Sequence, residues 1–268
     1  DNVSVTATFS ESVIVDNASG TPTLTLVVGS DNRTSTYTSG SGSTPLVFQY
    51  TIQAGETDAD GISIGANTLA LNSGTIRDAA GNNATITYSS VSANTSYKVD
   101  NTAPSVDNFT LSDTALKAGD NATVTLRFSE AVVSFSSAAD ITADNGTLAA
   151  MSSADNITWT GTFTPTANTE DASNTLSLAT SYTDTAGNAG PAATTENYAV
   201  ETLAPTVNSV AISSASGVQN SLLNAGDNVS VTATFSESVI VDNASGTPTL
   251  TLVVGSDNRT STYTSGSG

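Results

Sequence analysis

Residues 3–9 read VSVTATF, and this stretch decides the fold because its apolar residues alternate strictly with serine and threonine. Such a period of two is typical of a β-strand that buries one face and exposes the other. The same alternation recurs at residues 46–52 and 123–128, and clusters of Gly, Asn and Asp interrupt the runs at short intervals. No segment carries a helical stripe. The pattern therefore predicts short strands joined by tight turns.

The strand spacing defines the fold class. About seven short strands per 100 residues are typical of an immunoglobulin-like sandwich. We therefore predict an all-β chain of tandem immunoglobulin-like β-sandwich domains, arranged end to end. In the second domain we place strands at Val106–Leu111, Val124–Phe128 and Ile157–Phe163, with a hairpin turn at residues 144–146. Trp159, Tyr97 and Tyr198 are predicted to be packing residues, with Trp159 as the central core residue.

An internal repeat organises the chain. Residues 1–42 are identical to residues 227–268, an offset of 226, and weaker repeats occur at about half that period. Glu11, Glu130 and Glu237 end the same Phe-Ser-Glu motif and lie 119 and 107 residues apart. The repeating unit is therefore two alternating domains of slightly different length. Arrays of this kind usually act through their length and their repeated units, with no single catalytic pocket.

The domain boundaries are predicted at two proline linkers, Pro104 and Pro205. The first domain, 1–102, is expected to lack its opening strand, and the second spans 103–203. Residues 204–268 would form the N-terminal part of a third repeat, which we expect to be poorly ordered unless a neighbouring chain completes it. Neighbouring repeats of the same chain are the main predicted partners, together with head-to-tail contacts between chains.

Composition excludes several functions. Twenty-five acidic residues face six basic ones, for a net charge of −19, so binding to nucleic acid is not expected. The chain has no Cys and no His, which removes disulfides, thiolate metal sites and a Ser-His-Asp triad. No apolar run approaches the length of a membrane-spanning segment, so no membrane insertion is expected. A small-molecule substrate is not expected either.

The acidic residues are predicted to gather at the two ends of each sandwich. In the second domain one end carries Asp120, Glu170, Asp171 and Glu201, and the opposite end carries Glu130 and Asp184. In the first domain the corresponding sets are Asp1, Asp58, Asp60 and Asp100 at one end, with Glu11 and Asp78 at the other.

Stacking the domains brings opposite ends together. At the first joint, Glu130 and Asp184 would meet four residues of the first domain: Asp58, Asp60, Asp100 and Asn101. At the second joint, Glu237 would meet four residues of the second domain: Asp120, Glu170, Asp171 and Glu201. Converging carboxylates repel one another, by about 1–4 kcal/mol for each close pair. A divalent cation reverses this repulsion, and Ca²⁺ accepts irregular sets of six to eight oxygens. The sequence therefore predicts Ca²⁺ at the interdomain joints.

Simpler explanations compete with this prediction. Asp and Asn in turns often bond their own backbone, which could account for Asp1, Asp78, Asp120 and Asp184. Glu11, Glu130 and Glu237 could be solvated residues at strand ends. Asp100 and Glu201 have no evident turn role in their linkers, which makes them the stronger ligand candidates.

A family resemblance rests on the repeated motifs. The second domain resembles the bacterial Ig-like repeats of giant RTX adhesins at residues 114–120, 128–132, 140–142, 159–165 and 184–188. The first domain resembles the companion repeat of such arrays at residues 9–13, 50–55 and 78–82. The resemblance implies a stalk on the bacterial cell surface that projects a ligand-binding tip, for attachment or biofilm formation. It also implies Ca²⁺ at the joints, as in cadherins. Glu201-Thr202-Leu203 departs from the Asp-Asn-Thr form of the linker.

Three functions can be compared on the sequence. The leading hypothesis is a structural extender stiffened by Ca²⁺. The alternative is a glycan-, ice- or partner-binding module, which would present an exposed aromatic row or a regular Thr ladder; the single Trp has inward parity and no such ladder persists. An enzyme with paired carboxylates, such as a glycosidase, is disfavoured because the acids recur at every joint.

Overall fold

The computed structural model describes residues 1–268, and its secondary structure consists almost entirely of β-strands. One helical turn, Ser137–Asp140, is the sole helix, so no helix is long enough to cross a membrane. The chain is all-β, with its sheets packed as β-sandwiches, which confirms the predicted fold class.

The N-terminal part contains a six-stranded antiparallel sheet with the order β5-β2-β3-β4-β1-β6. Its strands are β1 (Asn2–Asp16), β2 (Thr23–Val28), β3 (Asp31–Ser39), β4 (Ser43–Thr51), β5 (Leu69–Ala70) and β6 (Thr75–Arg77). Strand β1 runs antiparallel to β4 from Asn2↔Thr51 to Thr8↔Pro45. Alternate residues of the strands point inward, and ten buried apolar side chains between Val13 and Val99 form one core.

The middle part is a separate sandwich with fifteen buried apolar residues between Phe109 and Val200. Its strands are β7 (Val106–Leu111), β8 (Ala115–Lys117), β9 (Ala122–Phe128), β10 (Val132–Val133), β11 (Ile141–Ala143), β12 (Gly146–Leu148), β13 (Thr158–Pro165), β14 (Glu170–Asn174), β15 (Leu176–Leu178), β16 (Thr183–Asp184), β17 (Ala193–Thr194) and β18 (Tyr198–Glu201).

The largest sheet of the middle part has the order β12-β13-β9-β7, which corresponds to strands D, E, B and A of an immunoglobulin sandwich. The predicted strands at Val106–Leu111, Val124–Phe128 and Ile157–Phe163 are confirmed to within two residues at each end. The predicted hairpin at residues 144–146 is wrong, because β11 pairs with β15 whereas β12 pairs with β13. Asn145, at a φ of 47°, therefore turns the chain from one sheet to the other.

Aromatic residues fill the middle core. Tyr182 and Tyr198 are fully buried, and Phe128 stacks near Tyr182 with ring centroids 4.8 Å apart. Trp159 packs against Phe135, also at 4.8 Å, but lies at the edge of the core with its indole N–H unpaired. The prediction for Tyr198 is confirmed. Tyr97 is 60% exposed, so its predicted packing role is wrong: it follows an irregular segment that leaves it outside the core.

The C-terminal part comprises two separate antiparallel pairs and no buried residue after Thr202. Strand β19 (Val207–Ser216) pairs with β20 (Asn228–Phe235), and β21 (Thr249–Val254) pairs with β22 (Asp257–Thr262). The two cores thus lie within the predicted segments 1–102 and 103–203, and the boundaries themselves stay a prediction.

Candidate functional site

Three carboxylates meet where the linker leaves the first core and enters the second. Asp100 belongs to the linker, Glu130 follows β9, and Asp184 ends β16. One carboxylate oxygen of each residue lies within 4.8 Å of the others. The strands of the middle sandwich deliver Glu130 and Asp184 to the same end, which is the end that the linker approaches.

The loop after β16 holds Asp184 in a fixed position. Its buried carboxylate accepts hydrogen bonds from the backbone N–H of Ala186 (2.8 Å) and Asn188 (2.9 Å), and from the Asn188 side chain (2.7 Å). Gly187 adopts a φ of 96°, which a residue with a side chain rarely tolerates. Burial works to raise the pKa of Asp184, but these hydrogen bonds outweigh it and lower the pKa, so the group carries a charge.

Asn188 also binds the linker. Its Nδ2 donates to the carbonyl oxygens of Asp100 at 3.1 Å and Thr102 at 3.3 Å. The same amide group therefore contacts the carboxylate of Asp184 and two linker carbonyls. This arrangement joins the linker to the loop of the second part through hydrogen bonds.

The pKa of Glu130 is affected by the other two carboxylates of the cluster. It is half-buried, and its pKa is raised first by burial and then by the negative charges of Asp100 and Asp184. None of the three residues takes part in an ion pair, since the five pairs of the chain involve Asp31, Glu56, Asp120, Asp107 and Asp257. The joint therefore contains a concentration of negative charge that no side chain neutralises.

The chemistry of this donor set fits a hard divalent cation. Carboxylate oxygens are the ligands that Ca²⁺ prefers, and Ca²⁺ tolerates flexible coordination geometry. Burial raises the pKa of Glu130 most, and the negative charges of Asp100 and Asp184 add to this in the direction expected when carboxylates converge without a counter-charge. Asp100, Glu130 and Asp184 are the residues that would hold such an ion.

The other residues predicted at this joint have different surroundings. Asp58 is buried, forms a β-bridge with Val99, and its Oδ1 accepts from the Gly61 N–H at 2.7 Å. Burial works to raise the pKa of Asp58, but hydrogen bonds led by those from Gly29 and Gly61 lower it. Asp60 is exposed. Neither acid belongs to the three-carboxylate cluster.

Asn101 connects the linker to the first sandwich by hydrogen bonds. Its Nδ2 donates to the carbonyl oxygens of Gln53 at 3.2 Å and Glu56 at 3.0 Å. Asp100 in turn accepts from the Thr102 N–H at 3.0 Å. Asp58 and Asn101 thus hold the end of the first sandwich, and Asp100 projects toward the second.

The acids predicted at the second joint are not gathered into a cluster. Asp120 pairs with Lys117 at 3.0 Å, Asp171 accepts from Asn145 at 2.8 Å, and Glu170 lies opposite Glu201 in the β14–β18 ladder. The Glu201 side chain accepts from the Leu203 N–H. Glu237 is half-exposed and belongs to no group of three acids.

Glu11 and Asp78 lie at the equivalent end of the first sandwich. Both line a crevice of about 540 Å³ beside β1. Asp78 repeats the bonds of Asp184, accepting from the Asn82 N–H at 2.8 Å and the Asn82 side chain at 2.7 Å. Asp1 is exposed at the other end of β1. No third acid joins Glu11 and Asp78.

Sequence reasoning did not identify Asn188 as a site residue. The signal was present, because Asp-x-Ala-Gly-Asn occurs at both 78–82 and 184–188. Its contact with the linker could not be read from the motif, since Asn82 has the same position in the loop and contacts no linker carbonyl.

Comparison with known proteins concerns mainly the middle part. Residues 100–200 match a family described as Bacterial Ig-like domain, a match that includes all three acids of the joint. No curated protein matches the chain.

One solved structure aligns with the chain more weakly. It is the SGBP-B of the mixed-linkage glucan utilization locus of Bacteroides ovatus, in complex with a mixed-linkage heptasaccharide. The identity is 16%, and the alignment covers 71% of this chain and 42% of that one, with a TM-score of 0.20. The chain thus spans less than half of that protein, and a likeness at this score supports no argument about ligand or function.

Proposed function

We propose that the chain is a structural extender of a large adhesin on the bacterial cell surface, and that Ca²⁺ binds at the joint between its first two sandwiches. The stalk would project a ligand-binding tip for attachment or biofilm formation. The proposal assigns no catalytic role. The observation that carries it is the meeting of three carboxylates, one from a linker and two from the next sandwich, without a cationic partner.

The three carboxylates would act by changing the mobility of the linker between the two sandwiches. Without a counter-charge, the Asp100 carboxylate is repelled by Glu130 and Asp184, while the Asn188 side chain binds the Asp100 backbone carbonyl and the Thr102 N–H binds the Asp100 carboxylate. A bound Ca²⁺ would supply two positive charges to this site. Asp184, which is oriented by its loop, then serves as the fixed ligand, whereas Asp100 and Glu130 bring the linker and the strand end toward it.

The Ca²⁺ affinity needed for this role is modest. Extracellular modules bind Ca²⁺ with dissociation constants of about 10⁻⁴–10⁻³ M, which suit a millimolar environment. An ion that binds only the folded joint also stabilises it by mass action.

Calorimetric titration and X-ray scattering of the whole chain test the proposal. We expect Ca²⁺ to bind and to narrow the distribution of interdomain distances, and EDTA to reverse both effects. Glu130→Gln should weaken binding about tenfold or more, because one carboxylate ligand is lost.

Glu196→Gln is the matched control. Glu196 is an exposed glutamate of the same sandwich, so this variant makes the same change in net charge outside the joint. An absence of Ca²⁺ binding to the unmodified chain, or an equal loss in the two variants, would contradict the proposal.

A further inference from the structure

Both ends of the linker between the first two sandwiches are fixed. At its start, Val99 exchanges two backbone hydrogen bonds with Asp58, at 2.7 and 2.9 Å. At its end, Pro104 is buried, the Ser105 N–H donates to the Ser129 hydroxyl at 2.9 Å, and the Ser129 N–H donates back to the Ser105 carbonyl at 2.9 Å. The segment free to act as a hinge therefore lies between Val99 and Pro104.

Within this segment, successive residues are bonded to opposite sandwiches. The Nδ2 of Asn101 donates to two backbone carbonyls of the first sandwich, at 3.2 and 3.0 Å. The Nδ2 of Asn188, in the second sandwich, donates to the carbonyls of the two flanking residues, Asp100 at 3.1 Å and Thr102 at 3.3 Å. The linker therefore cannot move toward one sandwich without breaking a bond to the other.

Asn188 is itself held in place by its loop. Its backbone N–H and its Nδ2 both donate to the Asp184 carboxylate, and its carbonyl accepts from the Asp184 N–H at 3.0 Å. The two hydrogens of the Asn188 amide thus serve one carboxylate oxygen and two linker carbonyls. All these bonds form between groups of the protein, so none of them requires a cation.

We infer that Asn188 and Asn101 are positioning residues, which together order the linker before any cation binds. A linker that the fold has already ordered loses little further freedom when a ligand binds, and such preorganisation favours binding. The Asp100 carboxylate is thereby kept beside Glu130 and Asp184 in the absence of the ion. The order of the linker does not depend on Ca²⁺, whereas its effect on Ca²⁺ affinity rests on the proposed function.

Pulsed electron paramagnetic resonance of the whole chain in EDTA tests the inference without the cation. The chain has no cysteine, so Thr34→Cys and Thr160→Cys, at exposed positions of β3 and β13, place one spin label on each sandwich. We expect Asn188→Ala to broaden the distribution of distances between the labels about twofold or more, because the second sandwich then loses its side-chain bonds to the linker.

Asn82→Ala is the matched control. Asn82 makes the same side-chain bond to an aspartate of its loop, Asp78, at 2.7 Å, but at the end of the first sandwich that is remote from this linker. The control variant should therefore lose a similar amount of loop stability and keep the distance distribution of the unmodified chain. No broadening by Asn188→Ala, or equal broadening by both substitutions, would overturn the inference.

Asn101→Ala provides an independent variant in case Asn188→Ala unfolds its loop. Asn101 is exposed and lies in the linker, so its loss leaves both cores intact, and it should also broaden the distribution in EDTA. Asn108→Ala is its control, because Asn108 is equally exposed and its amide bonds only to Thr110 of the same strand. An unchanged distribution in the Asn101 variant would refute the alternating bonds.

Calcium titration of the same variants separates this inference from the proposed ion site. Asn188→Ala should weaken Ca²⁺ binding about threefold or more although it removes no carboxylate, because binding must then also order the linker. Glu130→Gln should weaken binding without broadening the distribution in EDTA. Broadening by Asn188→Ala in a chain that binds no Ca²⁺ would support this inference and refute the proposed function. Normal Ca²⁺ binding without that broadening would refute this inference alone.

Discussion

Residues 1–42 and 227–268 have the same sequence and different structures. In the first copy, β1 extends from Asn2 to Asp16, whereas in the second copy the equivalent strand β20 ends at Phe235, seven residues earlier by the offset of 226. Residues 14–16 are a strand in the first copy because they pair with β6. The second copy has no such partner within the chain, so the same residues do not form a strand there.

The hairpin that follows is identical in both copies. Strands β2 and β3 pair from Thr23↔Thr36 to Val28↔Asp31, and β21 and β22 repeat this register from Thr249↔Thr262 to Val254↔Asp257. Glycine at φ near 60° makes the turn in both cases. A two-residue hairpin turn determines its register locally, so distant residues do not affect it.

Burial differs most between the copies. Leu24 and Val28 are each 3% exposed in the first copy, whereas Leu250 and Val254 are 38% and 61% exposed in the second. The difference comes from β4, β5 and the residues up to Val99, which cover the first copy. The comparison shows that local pattern is enough for the hairpin and its turn, whereas the full length of β1 and a core both require contributions from distant parts of the chain.

The strongest test of this comparison is the same substitution in each copy. Leu26→Ala should destabilise the first sandwich by about 3 kcal/mol, because Leu26 is fully buried and its loss leaves a cavity. Leu252→Ala, at the equivalent position, should change stability little, since no core surrounds it. Thermal unfolding followed by circular dichroism measures both variants. Fluorescence of Trp159, the single Trp, reports the unfolding of the middle sandwich, and neither substitution should change that unfolding. Equal losses of stability in the two variants would contradict the comparison.

Trypsin offers a second test with a smaller expected effect. Arg33 and Arg259 are equivalent, but their side chains are 33% and 64% exposed, and Arg259 lies in an isolated two-stranded pair. We expect cleavage after Arg259 at least about 100-fold faster than after Arg33, because a two-stranded pair opens at little cost. Mass spectrometry of the fragments distinguishes the two cuts. Arg259→Gln should abolish the early product, and comparable cleavage at Arg33 would show that the first copy is not protected.

Acid titration tests the contacts that only the first copy makes. Burial works to raise the pKa of Glu56, but hydrogen bonds from Tyr50, Gln53 and Arg33 outweigh it and lower the pKa. A lowered pKa means that this contribution to stability is present above the usual value of 4.5 and is lost as the pH falls through the folded-state value.

Glu56→Gln should therefore flatten the loss of stability of the first sandwich in acid. At pH 7 it should lower the melting temperature of that sandwich by roughly 5 °C, since a buried charged acceptor is lost. Scanning calorimetry between pH 3 and pH 7 measures both effects. An unchanged acid slope in the variant would contradict the assignment. Arg259, the equivalent of Arg33 in the second copy, pairs with Asp257 alone.

Much of the fold could be predicted from the sequence. Alternation at residues 123–128 predicted a strand that the structure contains as β9, because a strand with one buried face must alternate. The turn at residues 144–146 was misassigned as a hairpin. The sequence indicates that the chain turns at Asn145, but it does not indicate whether the next strand joins the same sheet or the facing one.

The candidate site was predictable only in part. The motifs indicated Asp100, Glu130 and Asp184 as acids at one joint, and the structure brings these three together. Asp58 and Asp60 were expected with them, yet Asp58 is turned inward by its bridge to Val99. Repetition of a motif indicates the end of a sandwich at which a residue lies, whereas the direction of its side chain depends on backbone pairing.

The sequence by itself determined where the main strands lie, the turns and the identical register of the two hairpins, since these depend on side-chain alternation and on glycine over a few residues. Only the tertiary structure decided which acids meet at the linker, that Asp58 is buried away from them, and that the chain passes to the facing sheet at Asn145. The reason is that burial, electrostatic repulsion and strand pairing at these places all depend on residues far apart in the chain, whose positions no local pattern records.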